Sequence, residues 1–111
     1  MSPRDWQERL YDIIDAIAEI QRFLEGQSYE TFKDDIKTQK AVELNFIIIG
    51  EAAARIPEEI EKTYPEIPWH LMRAMRNRLV HVYFEVDSLL VWETARNDLP
   101  PLAIVLQNIL D

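Results

Sequence analysis

The apolar positions of this chain fall into helical rhythm almost from end to end. Leu10, Ile13, Ile14, Ile17, Ile20, Phe23 and Leu24 recur at spacings of three and four, which predicts one amphipathic helix over about Pro3 to Glu25. Gly26 ends it, because glycine enters the left-handed backbone region without steric cost. Ser28, followed by Glu30 and Thr31, opens a helical turn to about Phe32, and Asp34 or Asp35 starts a second long helix, Ile36 to Arg55. The centre of that helix, ELNFIIIGEAAA, is apolar nearly all round, so it is expected inside the molecule. Gly50 and the alanines there would let a neighbouring backbone come close. Pro57 heads a short helix to Thr63, with Glu58 and Glu59 favourably placed at its positive end.

The stretch TYPEIPW is a turn, and Pro68 opens a third long helix whose apolar stripe is Leu71, Met72, Met75, Leu79 and Val82. Asp87 is the expected N-cap of a fourth helix, Ser88 to about Asn97, with Leu89, Leu90, Val91 and Trp92 facing inward. Pro100 and Pro101 are expected to break or kink it before a last helical segment, Leu102 to Leu110. The chain therefore reads as all-α: an antiparallel four-helix bundle with short accessory helices.

Composition narrows the classes. With 111 residues, 48% of them hydrophobic and only two glycines, the chain is expected to be one helical domain over residues 1–111. It has no cysteine, which removes disulfides, thiolate catalysis and cysteine-based metal centres and fits a reducing cytoplasm. Its beginning, MSPRDWQERL, lacks an apolar signal core, and no apolar run approaches the length needed to span a bilayer. A cytoplasmic protein without a membrane segment is the expectation.

The formal net charge of −8 argues against a general nucleic-acid coat protein, whose affinity comes from neutralising phosphates. The distribution says more than the sum. From Ile67 to Phe84 there is no acidic residue, while Arg73, Arg76, Arg78, His70 and His81 all lie there. An acidic body with one basic segment suits a focused anion site. The plainer reading is a salt-bridged helix face whose acids come from other helices.

Within that segment, MRNRLVHVY places Arg76, Asn77, His81 and Tyr83 close together. At roughly 100° per residue, Arg76, Asn77 and His81 fall within about 140° on a helix, with Arg73 between them and Tyr83 just beyond Arg76. A permanent cation, an amide and a side chain that exchanges protons near neutral pH are the parts for cleaving RNA through its own 2′-hydroxyl. His81 would act as base or acid, Arg76 would hold phosphate oxygens, Asn77 would orient one of them, and Tyr83 would stack on a base or donate its hydroxyl. Neither a metal nor a cofactor is expected: two histidines eleven apart without a carboxylate at ligand spacing make a poor metal site. One helix supplies only one histidine, whereas in-line cleavage needs a base and an acid. A symmetric dimer would supply both.

Each residue also has a structural reading. His81 alone, at this spacing from Arg76, fits a packed helix face, and Tyr83 fits amphipathic packing with its hydroxyl at the surface. His70 belongs to the helix start after Pro68, and Trp6, Trp69 and Trp92 read as core or rim. Glu58, Glu59 and Glu61 are expected to form a solvated face.

Taken together, PWHLMRAMRNRLVHVYFEVD, preceded by IIIGEAAARIPEEIEKTYPEI and followed by VWETARNDLPPL, resembles the HepT-like ribonuclease toxins of the HEPN superfamily. The resemblance extends to the opening helix, YDIIDAIAEIQRFLEGQSYETF, and so covers nearly the whole chain. The family motif R-x-x-x-x-H-x-Y is met by Arg76, His81 and Tyr83, with Asn77 after the arginine. The resemblance implies an all-helical homodimer acting as a metal-independent endoribonuclease, with Arg76 and His81 in a composite site at the dimer cleft. It implies as partner a minimal nucleotidyltransferase antitoxin of the MNT type, joined to the dimer in a hetero-oligomer, that transfers AMP to Tyr83. Added phosphates there would occupy Arg76 and repel an RNA backbone. Leu44 and Ile47 stand where the family has an arginine and a glutamate, and Ala74 where a glycine is common. Glu51 is retained, and it is expected either to orient the site or to cap a packing defect, with the structural role favoured slightly. The competing function is a noncatalytic subunit that holds nucleotide phosphates with Arg73 and Arg76 for such a nucleotidyltransferase. A third is a helical interaction module in which His81 is merely packed.

Overall fold

The computed structural model describes residues 5–82 and 86–111. These residues form helices and connecting turns, with no strand among them. The helices are α1 (Asp5–Phe23), α2 (Tyr29–Phe32), α3 (Ile36–Ala53), α4 (Glu58–Thr63), α5 (Trp69–His81), α6 (Ser88–Glu93) and α7 (Leu99–Leu110). A π-helical turn, Thr94–Asp98, joins α6 to α7. Four long rods result: α1, α3, α5 and the continuous α6–α7 run.

The helix boundaries follow local chemistry. Gly26 takes φ +75° where α1 stops. Ser28 caps α2 in a reciprocal box in which its hydroxyl accepts from Thr31 N–H and the Thr31 hydroxyl accepts from Ser28 N–H. Asp35 caps α3, accepting from Thr38 N–H at 3.0 Å, and Asp87 caps α6 through Leu89 N–H, also at 3.0 Å. Pro57 and Pro68 occupy the N-cap positions of α4 and α5, one residue outside where the sequence places them.

Pro100 and Pro101 neither break the last rod nor end it. Both fall in the first turn of α7, where the missing N–H groups matter least. The π turn before them widens the helix by one residue, with Leu99 N–H bonding back to the Thr94 carbonyl, so the proline rings are accommodated within a continuous rod.

Packing is unequal around the rods. α3 lies between α1 and α5, while the α6–α7 run packs on α1. One apolar cluster joins Leu10, Ile13, Ile17 and Ile20 of α1 to Val42, Phe46 and Ile49 of α3, Met72 and Leu79 of α5, and Val91, Leu99 and Leu106 of the last rod. Asn45, 4% exposed, is the polar exception among the described residues, and its amide donates to Glu19 Oε1 at 3.1 Å and to the Ala41 carbonyl at 3.2 Å. Phe32 and Tyr29 of α2 sit against Trp92, ring centroids 5.3 and 6.4 Å away, and the Tyr29 hydroxyl meets Ser88 Oγ at 3.0 Å. This cluster pins the start of α6.

Two apolar stripes differ from expectation. Met72 and Leu79 are buried, but Leu71 is 66% exposed and Val82 is 40% exposed. Of Leu89, Leu90, Val91 and Trp92, Val91 is buried, Trp92 is half-buried, and both leucines are 42% exposed. Four consecutive helical residues span more than half of the circumference, so one core cannot receive them all. Leu71 and Leu90 instead line an open groove of about 520 Å³ between α5 and the α6–α7 run, floored by Phe46 and Ile49. No helix of the described residues is long and apolar enough to cross a membrane.

Two carboxylates give the fold opposite pH dependences. Hydrogen bonds from Thr38 and Gln27 hold Asp35 below its ordinary value, so its contribution is present at neutral pH and fades as pH falls through the acid carboxylate range. Burial pushes Glu43 up, opposed by Lys40. Here the folded chain holds its proton more tightly than the unfolded one, and stability is lost as pH rises through the folded value. Glu43→Gln should therefore melt above wild type at neutral pH, with the difference closing when both are measured below the carboxylate range. An equal or lower melting temperature at neutral pH would show that charging Glu43 costs the fold nothing there.

Candidate functional site

The position of Arg76 is set by a glycine. Gly50 on α3 faces α5 so closely that a Cβ built on it would overlap Arg76 Cβ and lie 2.8 Å from the Met72 carbonyl oxygen. The two backbones meet there, and Arg76 is carried into the seam between the helices. This is the close approach that the small residues of α3 anticipate.

Glu51, the next residue, reaches across the seam. Its Oε1 accepts a hydrogen bond from Arg76 Nη1 at 3.0 Å. The Glu51 side chain is 50% exposed, so the pair adds little to stability. Its effect is to aim the guanidinium. Of the two roles expected for Glu51, its contact with Arg76 fits the orienting one better than the packing one. Arg76 Nε lies enclosed without an acceptor, and most of the N–H donors of the guanidinium remain unengaged among the described residues.

With Arg76 against α3, Asn77 and His81 follow about 100° and 140° further round α5 and project outward. Both are exposed, and neither makes a side-chain hydrogen bond among the described residues. His81 closes the last turn of α5, near the negative end of that helix. The structure thus brings Arg76, Asn77 and His81 to one side of the C-terminal half of α5. Tyr83 lies outside the described residues.

Arg73 is drawn elsewhere. Its Nη1 pairs with Glu61 Oε1 of α4 at 3.1 Å, with side chains 31% and 25% exposed. Glu61 is therefore half-buried and engaged, not part of a solvated face with Glu58 and Glu59. The bond from Trp69 Nε1 to the Tyr64 carbonyl, 3.1 Å, holds the same end of α5 to the preceding turn. Both paired arginines find their acids on other helices, as the plainer reading of the basic segment holds. That pairing consumes Arg73 and leaves Arg76 with donors to offer.

The arrangement can bind an anion at Arg76 and exchange a proton at His81 beside it. It is an open face in the single chain: the groove of α5 is lined by Arg78, Ala74 and Leu71, and not by Arg76, Asn77 or His81. Among the described residues no three histidine or acidic side chains converge on a point where a metal ion could sit. Glu51 and Glu61 escape a reading of α5 alone, because what signals them is tertiary. The glycine before Glu51 was the available hint.

Comparison with known proteins identifies the chain's relatives. The model of the family described as "Ribonuclease HepT-like" matches residues 13–109. The chain is 42% identical over 99 residues to a protein named "Probable ribonuclease HepT" from Thermococcus cleftensis, covering 89% of this chain and 90% of that one. It is 37% identical over 110 residues to a provisionally named RNase of Methanocaldococcus jannaschii, covering 99% and 91%. Another provisionally named RNase, from Caldanaerobacter subterraneus, is 30% identical over 109 residues, covering 98% and 95%. No solved structure gives a significant match. On a match over nearly its whole length, together with the all-helical fold, the chain belongs to the HepT-like ribonuclease family.

Proposed function

We propose that this protein is a metal-independent endoribonuclease whose reaction centre is Arg76 and His81. The observation that carries this reading is the open face of α5, where Glu51 aims Arg76 and leaves it donors, while Asn77 and His81 stand beside it without partners among the described residues. His81 takes the proton from a ribose 2′-hydroxyl, the 2′-oxygen attacks the adjacent phosphorus, and Arg76 stabilises the charge on the non-bridging oxygens. A second His81 protonates the departing 5′-oxygen. The products are a 2′,3′-cyclic phosphate and a 5′-hydroxyl end. Two copies of the chain, related by a two-fold axis, supply the two histidines.

In the cell the activity fits the toxin of a toxin–antitoxin pair, neutralised by an MNT-type minimal nucleotidyltransferase that transfers AMP to the Tyr83 hydroxyl. A bulky anion two residues beyond His81 would compete with RNA phosphate for Arg76. This part of the reading rests on the Arg76–His81–Tyr83 motif. The alternative, a noncatalytic nucleotide-binding subunit, needs Arg73 and Arg76 together for phosphates, and the tie of Arg73 to Glu61 counts against it.

The test is RNA cleavage by the purified protein in excess chelator, with the product ends analysed. Cleavage leaving cyclic phosphate is the expected result. A protein inert on RNA that still binds ATP would establish the noncatalytic reading instead. AMP transfer is tested separately, by mass analysis of the chain after incubation with such a nucleotidyltransferase and ATP, comparing wild type with Tyr83→Phe.

A further inference from the structure

We infer that Val80 of α5 and Ile47 of α3 form the floor of a nucleoside subsite, which seats a base flanking the phosphate held at Arg76. The inference rests on the ribonuclease reading and adds to it the surface that holds the substrate beside the cleaved bond.

The face that carries Arg76, Asn77 and His81 is not polar throughout. Val80, 40% exposed, stands within it. It follows Arg76 by four residues and Asn77 by three, the spacings at which side chains on a helix are neighbours, and it precedes His81 directly. On α3, Ile47 lies one turn before Glu51 and about 40° nearer to the direction in which Gly50 faces α5. Leu44, 58% exposed, lies two turns before Glu51 on almost the same line, and Ile48, 40% exposed, flanks them on the outer side.

The connections of the chain bring these two stripes together. Gln39 of α3 donates to the Phe32 carbonyl of α2 at 2.8 Å, and Tyr29 of α2 meets Ser88 of α6, so α6 starts beside the start of α3. Because α6 follows α5 in the chain, the end of α5 lies there too, and α3 and α5 run antiparallel. With Gly50 against Arg76, one turn toward the start of α3 is one turn toward the end of α5, which sets Ile47 level with Val80. The rung beside the Glu51–Arg76 pair is therefore apolar on both helices, and half-buried Glu43 marks its far end. Exposed apolar side chains scattered singly are ordinary, whereas four on one face beside a cation with free donors mark a binding surface.

The pairing of an anion site with an apolar floor selects the occupant. RNA carries a phosphate beside every base, and the faces of a base are apolar, so one nucleotide satisfies Arg76 and covers the floor at once. A protein segment would need an acidic side chain placed at Arg76 in addition to its apolar contact. Leu44, Ile47, Ile48 and Val80 have no hydrogen-bonding groups with which to read the edge of a base. The subsite therefore accepts every base and favours the larger face of a purine, and the base has to be unpaired to lie on it.

The test uses a short oligoribonucleotide in which a single linkage keeps its 2′-hydroxyl and all others are 2′-O-methylated. It is prepared complete, and with the base removed on the 5′ or on the 3′ side of that linkage. Wild type should lose about 10-fold in kcat/KM on one of the two abasic strands, the loss expected for a stacked base. Val80→Ser should lose about fivefold on the complete strand, mainly through KM, and no more than about twofold further on that abasic strand, because the contact is already gone. Ile47→Ser should behave in the same way. Ile104→Ser, on α7 and 64% exposed, is the control and should match wild type on all three strands. Serine variants equal to wild type on the complete strand, or an abasic penalty as large in them as in wild type, would overturn the subsite. So would a variant that changes its association state in sedimentation while binding RNA as tightly as wild type, since a protein surface then covers the patch. A wild type that cuts none of the strands would instead remove the ribonuclease reading, and binding of the fully 2′-O-methylated strands, complete and abasic, would then decide the subsite by the same comparison.

Discussion

His81→Ala should reduce RNA cleavage by about 10²- to 10⁴-fold, the usual contribution of a positioned proton carrier, while leaving the fold intact. The side chain is exposed in the last turn of α5 and bonds to nothing among the described residues, so its removal creates no cavity and strands no polar group. Stability should change by no more than about 0.5 kcal/mol, as for ordinary surface substitutions. That separation is the point of the experiment, since a packed histidine would behave in the opposite way. Arg76→Lys should lose activity as well although charge is conserved, because an ammonium cannot keep a bond to Glu51 and present a planar fork to phosphate. Rates are to be compared at equal helicity in excess chelator. Cleavage by His81→Ala within twofold of wild type would remove His81 from the reaction.

Gly50→Ala should damage both the fold and the activity through a single methyl group. The added Cβ meets Arg76 Cβ and the Met72 carbonyl oxygen, atoms that no side-chain rotation can withdraw. α5 must shift away from α3, at a cost of about 1–3 kcal/mol for overpacking of this kind. For a domain of this size that amounts to a fall of about 4–8 °C in melting temperature per kcal/mol. The same shift carries Arg76 from Glu51, so cleavage should fall even at temperatures where the variant is fully folded. Gly26→Ala is the control. Its Cβ would meet nothing within 4 Å, and its cost comes only from the positive φ of +75°, far from the reaction centre. It should lower the melting temperature and spare the activity of the folded fraction. Equal activity losses in the two variants would show that the Gly50 seam does not position Arg76.

The candidate site was partly legible because three of its members share one helix. Arg76, Asn77 and His81 are set by the angular step of α5, which sequence spacing encodes directly. Arg73 has the same spacing credentials and a different fate, since Glu61 of α4 takes it. Glu51 lies twenty-five residues before Arg76 and becomes its partner only because Gly50 lets two backbones touch. Local periodicity carries no record of such a meeting.

The sequence by itself determined the all-helical class, the starts at Ser28 and Asp87, a start at Asp34 or Asp35, and the stop at Gly26. These depend on side chains within one turn of the backbone groups they satisfy. It also determined which side of α5 carries the motif. Only the tertiary structure decided which apolar residues are covered. Leu71 and Leu90 lie on apolar stripes as good as those of Met72 and Val91, yet they stay exposed because α5 and the last rod pack on different neighbours. Only the tertiary structure, too, decided that Pro100 and Pro101 continue a rod, since the π turn before them supplies the room their rings need. Helix caps are local contacts, whereas burial and pairing are settled by which surfaces the rods leave for one another.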